Sequence, residues 1–170
     1  MAEFNMNNLS TEDKAIAGAG IGVLIFSFFP WYGIDSTFID VSANGWDMGI
    51  SAKLGIFLAL AAAVWVVLRS AGVSTPELPT GPAMITLLLA GVGALFLVYR
   101  AIDLPGGSSN IPGAEFDVGR KIGIYLAVLA SLAQTFFAFR AFQASGEKMP
   151  EFGGGSASGS TPPTAPPPPA

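Results

Sequence analysis

The chain has 170 residues, 51% of them hydrophobic and 12% charged, with a mean hydropathy of +0.56. That balance argues for a bilayer-embedded protein. Lys and Arg number 8 against 12 Asp and Glu, a net charge of −4, so no basic field exists to attract nucleic acid. Cys and His are absent, which removes disulfides, thiolate or imidazole metal sites, His-ligated haem and every catalytic dyad or triad built on them; neither an enzyme nor a cofactor is expected.

Uncharged stretches at residues 15–34, 54–68, 82–99 and 122–139 predict an all-α membrane protein. A helix rises about 1.5 Å per residue and the hydrocarbon core is about 30 Å thick, so about 20 residues are needed per crossing. Allowing for helix ends, four transmembrane helices are expected at about residues 14–34, 49–69, 82–100 and 119–142. They form one domain over residues 11–143, between a short N-terminal segment, 1–10, and a tail, 144–170.

Ser10 and Asp13 stand at capping-box spacing, with Glu12 between them, and predict a helix start in the interface. The first helix is expected to run to Pro30 or slightly beyond. A secretory signal is the competing assignment, but Glu3, Glu12 and Asp13 precede the apolar run with only Lys14 among them, and the run is too long for an ordinary signal core, so the span is expected to be retained. No Cys is present to acylate or prenylate, and residue 2 is Ala. Trp31 and Tyr32, after Phe28 and Phe29, suit a membrane–water boundary, as does Trp46.

In the first connection Ile39, Val41 and Ala43 alternate ahead of the turn dipeptide Asn44-Gly45, which predicts a short strand or β-hairpin. The second span reaches full length only if it begins near Met48 or Gly49, leaving Lys53 about one turn inside, where its stem snorkels to the headgroups. Residues 70–81 read as a simple loop. Pro82 suits the first turn of the third helix. Residues 100–121, rich in Gly, Ser, Asn and Pro, are expected to be irregular. Asp117 is the expected N-cap of the fourth helix, with Arg120 and Lys121 unfavourably near its positive end. From Gly153 onward only Gly, Ser, Ala, Thr and Pro occur, predicting a disordered, partly polyproline tail. Its run at Pro166 to Pro169 suits a cytoplasmic partner with an aromatic groove, or serves simply as a spacer.

Helices in lipid are held together by close packing of small residues and a few polar side chains. Gly18 and Gly22 offer such a stripe on the first helix. Ala52, Gly55, Ala59 and Ala62 do so on the second, and Thr86, Ala90, Gly93 and Ala94 on the third. Ala127, Ser131, Gln134, Thr135 and Ala138 complete the set on the fourth. Ser131 and Gln134 are expected to be interhelical hydrogen-bond formers rather than a polar step on a transport path, since no Asp, Glu, Lys or Arg lies in the middle of a span. Asp35, Asp40 and Asp47 recur in one loop, which suggests a Ca²⁺ or Mg²⁺ site as the functional reading, but their spacing matches no EF-hand pattern; a solvated acidic loop is expected. Arg100 and Asp103, three apart, read as an ion pair or helix-end cap.

Four spans put both termini on one face. Lys14, Arg69, Arg140 and Lys148 fall on that face and Lys53, Arg100, Arg120 and Lys121 on the other, so the positive-inside rule is tied. The lack of a signal sequence favours both termini in the cytoplasm.

The segments Phe28-Phe29-Pro30-Trp31-Tyr32-Gly33, Asn44-Gly45-Trp46-Asp47 and Val118-Gly119-Arg120-Lys121-Ile122-Gly123-Ile124-Tyr125-Leu126-Ala127 resemble a group of small four-span integral membrane proteins of actinobacteria. The resemblance covers about residues 12–143. It implies the plasma membrane of a Gram-positive cell and a low-complexity tail, and carries over no functional residues. The expected function is a non-enzymatic accessory, scaffold or envelope-associated component with a membrane-protein partner or self-association. The competing expectation is a small channel or transporter component formed by self-association.

Overall fold

The computed structural model describes residues 9–35, 40–73, 80–103 and 118–147. Four helices, α1 (Thr11–Ser27), α2 (Ile50–Ser70), α3 (Pro82–Ile102) and α4 (Ile122–Ser145), are joined to three short strands, β1 (Pro30–Asp35), β2 (Asp40–Asn44) and β3 (Val118–Arg120). Helices consecutive in the chain pack on one another, and α1 packs most extensively on α4, which closes the ring. Three of the four, α2, α3 and α4, with 21, 21 and 24 residues, are long and apolar enough to cross a membrane. At 17 residues, α1 is about 25 Å long.

Ser10 caps α1 as expected, its hydroxyl accepting from Asp13 N at 3.0 Å. The other end differs from expectation: the helix stops at Ser27, and Pro30 opens a strand. Pro disfavours the α conformation in the residue before it and has no N–H to continue the ladder, so the chain leaves the helix before reaching Pro30.

The expected hairpin is present and acquires a third strand. β1 is central, antiparallel to β2 with Tyr32 opposite Ala43 and to β3 with Tyr32 opposite Arg120. Gly45 N donates to Ser27 O at 2.9 Å and Lys121 N to Trp31 O at 2.8 Å, tying both flanking strands to the α1–β1 corner. Asn44-Gly45 makes the turn into α2 rather than the hairpin turn: Asn44 Oδ1 accepts from Trp46 N at 2.8 Å, an Asx-type bond. Because residues 118–120 pair with β1, α4 starts at Ile122 and its N-cap is Lys121, not Asp117. Arg120 then escapes the repulsive end of α4; its Nε and Nη2 donate to Ala101 O (2.8 Å) and Ile102 O (3.1 Å), at the negative end of α3.

The opposite end of the bundle is closed by charge. Arg69 Nη2 lies 3.0 Å from Asp13 Oδ1 and Arg140 Nη2 3.6 Å from Glu12 Oε1. Beyond α4, Glu147 reaches back to α3, its two carboxylate oxygens accepting from Ala83 N (3.1 Å) and Met84 N (2.9 Å). It fills the capping role that Gly81 has no side chain to perform.

Small residues line much of the bundle interior, and many large ones cover its outer face. Ala59, Ala62, Ala90 and Ala127 are fully buried, while Leu95, Leu129 and Phe136 are 69%, 65% and 57% exposed. Residues 1–8, 36–39, 74–79, 104–117 and 148–170, among them the expected low-complexity tail with its proline run, lie outside the described residues.

Candidate functional site

The core of the bundle is set by distances that exclude side chains. A Cβ on Gly55 would come within 2.8 Å of Leu97, and one on Gly93 within 3.2 Å of Ala59 N, Gly55 O and Leu58, so α2 and α3 cross nearly backbone to backbone at Gly55, Ala59 and Gly93. Ala90 is buried on the same face of α3, its carbonyl accepting from Thr135 Oγ1 of α4 at 3.1 Å.

The first helix departs from expectation. Gly18 is exposed with no atom near its missing Cβ, and Gly22 sits at the rim facing Ala130 at 3.6 Å. Gly20 makes the close contact instead: a Cβ there would lie 2.6 Å from Ala63 Cβ and 2.7 Å from Gln134 Nε2. The buried face is Asp13, Ile16, Gly20, Val23 and Ser27, in 3-4-3-4 steps, and two residues along a helix point about 200° apart. Asp13 must meet Arg69 at one end, and at the other Ser27 must meet Trp46, whose Nε1 donates to its hydroxyl at 2.9 Å. Those two polar contacts choose the face. A helix that is apolar all round carries no local signal that singles out Gly20.

At the centre, Gln134 has no exposed surface. Its Nε2 donates to Ala59 O (2.8 Å) on α2 and to Ile16 O (3.2 Å) on α1, so one amide on α4 joins three helices, while its Oε1 has no partner. Ser131, one turn earlier, returns its hydroxyl to Val128 O at 2.8 Å and bridges nothing. Two interhelical bonds of about 0.6 kcal/mol each are offset by the unsatisfied oxygen. Gln134→Leu is therefore expected to change thermal stability in detergent by no more than about 1 kcal/mol. Gln134→Glu, which sets a carboxylate against two carbonyl oxygens, is expected to cost about 2.5–3.5 kcal/mol. A polar station on a conduit would show the reverse order, tolerating Glu and failing with Leu.

The second polar centre lies under the sheet. Trp31 and Tyr32 are 0% and 2% exposed and are not interfacial anchors, because β1 turns both side chains into the core formed with Val23, Ile56, Leu97 and Ile124. Trp31 Nε1 donates to Phe26 O at 2.8 Å. Tyr32 Oη donates to the carbonyl of Arg100 at the end of α3, and the Arg100 guanidinium stands 5.7 Å from the centroid of the Tyr32 ring, a cation–π contact. Arg100 is itself buried, its Nη1 3.0 Å from Asp103 Oδ2 and its Nη2 3.2 Å from Met48 Sδ; its Nε has no partner. Trp46 keeps a rim position, packed against Phe28 and Phe57 with ring centroids 5.9 and 5.6 Å away. Lys53 lies in the first turn of α2, half-buried.

Burial pushes the Tyr32 phenol above its ordinary value of 10.0, with the Arg100 charge countering part of the rise. The folded state thus keeps its phenolic proton at pH values where the unfolded chain has lost it. The Tyr32 contribution to stability is complete below about pH 10 and fades as pH climbs towards the folded value. Thermal melts taken from neutral to about pH 11 are expected to show an alkaline decline that Tyr32→Phe reduces.

None of these arrangements pairs a nucleophile with a base, and no cluster of three or more acidic side chains gathers among the described residues. The amide of Gln134 fastens three helices at their centre, and the Tyr32 phenol and Arg120 guanidinium fasten the sheet to the end of α3. Comparison with protein-family models, with curated proteins and with solved structures finds no match.

Proposed function

We propose that this chain is a four-span integral membrane protein of the plasma membrane, with both termini in the cytoplasm, acting as a non-enzymatic accessory or scaffold component of the envelope. The observation that carries the membrane part is the distribution of side-chain size. Every helix keeps a set of large apolar side chains on its outer face, Ile21 and Ile25 on α1 included at 53% and 51% exposure, which in water would be a severe exposed apolar surface and in lipid is the favourable arrangement. By the same pattern α1, though short, is the fourth span. The resemblance to small actinobacterial membrane proteins points to the same location.

The scaffold part is supported by how firmly the sheet is fastened. Through Trp31, Tyr32 and Trp46 a three-stranded platform is locked onto the helix ends, where it offers a partner a rigid surface on the face opposite the termini. The sequence after the Glu147 clasp, residues 148–170, is proposed as a second attachment point for a cytoplasmic partner. The test is purification of the tagged chain in mild detergent, with and without residues 149–170, followed by mass spectrometry. A stoichiometric partner supports the scaffold reading, and its loss on truncation assigns binding to the tail. Labelling of Ser42→Cys and Ser158→Cys in this cysteine-free sequence tests orientation; external reactivity of the second overturns it.

A channel or transporter component is the second reading. It is favoured by one feature, the open space before Gly18 on α1, which permits a second copy to approach closely. A pure homo-oligomer with solute flux in liposomes above that of an unrelated four-span control would select it.

A further inference from the structure

The lipid-facing side of α3 is hollowed where it borders α4. A groove of about 420 Å³ lies among Leu87, Leu88, Gly91, Val92 and Leu132. A second hollow of about 390 Å³ borders it at Val92 and Leu95 and is lined by Phe96 and Tyr99 as well. Gly91 creates the depth: a Cβ there would meet nothing closer than Thr135 Cγ2 at 4.0 Å, so no neighbouring helix occupies the space it leaves. Thr135 offers the groove no spare donor, its hydroxyl being shared between Ala90 O (3.1 Å) and Ser131 O (2.9 Å). The projecting leucines on both sides hold another helix backbone away. A deep wall with no hydrogen-bonding function suits a flexible hydrocarbon chain better than a helix, which associates through small residues or polar contacts. From Leu87 to Val98 the groove runs about 16 Å along the axis, comparable to the half-thickness of the hydrocarbon core, about 15 Å.

At the sheet end of this groove, between the last turn of α3 and the start of α4, sits Arg120. It is exposed and fixed in place by its bonds to the Ala101 and Ile102 carbonyls. Tyr99, in the last turn of α3, and Tyr125, in the first turn of α4, are 56% and 54% exposed. Asp103, the acidic group at the end of α3, is already paired with Arg100. We propose that the α3–α4 groove is a binding site for one anionic phospholipid, an acyl chain lying along Gly91 and Leu95 and the phosphate meeting Arg120. This rests on the membrane reading above. The guanidinium supplies charge and directed donors to the phosphate, and the two phenols lie at headgroup level, where amphipathic rings collect.

The test uses the full chain, delipidated in mild detergent, with phosphatidylglycerol or phosphatidylcholine of identical acyl chains added, and native mass spectrometry as the readout. The first lipid bound is expected to be phosphatidylglycerol by about tenfold, equivalent to about 1.4 kcal/mol. Arg120→Gln, which keeps a donor for the α3 carbonyls, should abolish the preference, and Arg120→Lys should restore part of it. Gly91→Leu, whose Cβ meets nothing closer than 4.0 Å, puts a side chain in the groove and should lower retention of both lipids while the circular dichroism spectrum stays unchanged. Equal retention of the two lipids by the parent chain overturns the proposal. So does an undiminished preference in folded Arg120→Gln, or undiminished occupancy in folded Gly91→Leu. A chain that stays in aqueous solution without detergent refutes the membrane reading instead, which keeps the two failures distinct.

Discussion

Gly20→Leu is expected to prevent assembly of the bundle, whereas Gly18→Leu, two residues away, should leave it as stable as before or slightly more so. The missing Cβ of Gly20 is already within 2.6 Å of Ala63 Cβ, 2.7 Å of Gln134 Nε2 and 3.1 Å of Ala59 O. Two of those three atoms, a Cβ and a backbone oxygen, can yield only if α2 moves. The third belongs to the amide that ties α4 to α1 and α2. Even Gly20→Ala should cost about 1–3 kcal/mol, as overpacking a tight core does, and a leucine adds three further carbons in a space that holds none. At Gly18 nothing lies within 4 Å, so leucine gains helix propensity of up to about 1 kcal/mol. Thermal unfolding in detergent, followed by circular dichroism, measures both. Chromatographic size of the Gly18→Leu variant adds an independent readout: a folded chain that changes from oligomer to monomer would assign Gly18 to contact between copies. Equal tolerance at the two positions would mean that α1 does not present the face described here.

Trp31→Ala is expected to be the most damaging single truncation at the sheet end, at about 3–5 kcal/mol. Trp31 is fully buried and fills a space that two glycines leave for it. A Cβ on Gly45 would come within 2.8 Å of its ring and one on Gly123 within 2.9 Å. Those glycines belong to the turn before α2 and to the first turn of α4, so the indole joins elements that follow it by about 15 and about 90 residues in the chain. Its removal empties a cavity at the junction and frees Phe26 O from its bond to Nε1. Trp31→Phe, which keeps most of the volume, should cost much less, and Trp46→Ala, at the rim, should fall between neutral and about 2 kcal/mol. The comparison is decisive because an interfacial anchor and a core residue predict opposite rankings. If Trp31→Ala costs no more than Trp46→Ala in the same detergent, the indole is not the keystone of the sheet–bundle junction.

The features that follow from neighbouring residues were legible in the sequence. Composition and run length identify the apolar helices. Ser10 and Asp13 mark the start of α1 because a hydroxyl three residues before an N–H caps a helix wherever it occurs. The alternation around Val41 and Ala43 announces the hairpin. The small-residue faces of α2, α3 and α4 are likewise visible, since at Gly55, Ala59, Ala90 and Gly93 the periodicity of small side chains is the packing code itself. Tertiary structure alone decided what depends on distant partners. The face of α1 was undetermined because a helix that is apolar all round has no amphipathic direction, and the choice of Gly20 over Gly18 came from Arg69 and Trp46, on another element and in a turn. Trp31 and Tyr32 have the chemistry of anchors, and nothing local distinguishes that role from a core; β3, arriving some 85 residues later, makes β1 the central strand and turns them inward. Glu147 became the cap of α3 for the same reason, since helix N–H groups accept any carboxylate that the fold delivers, and only the closed ring of helices delivers that one.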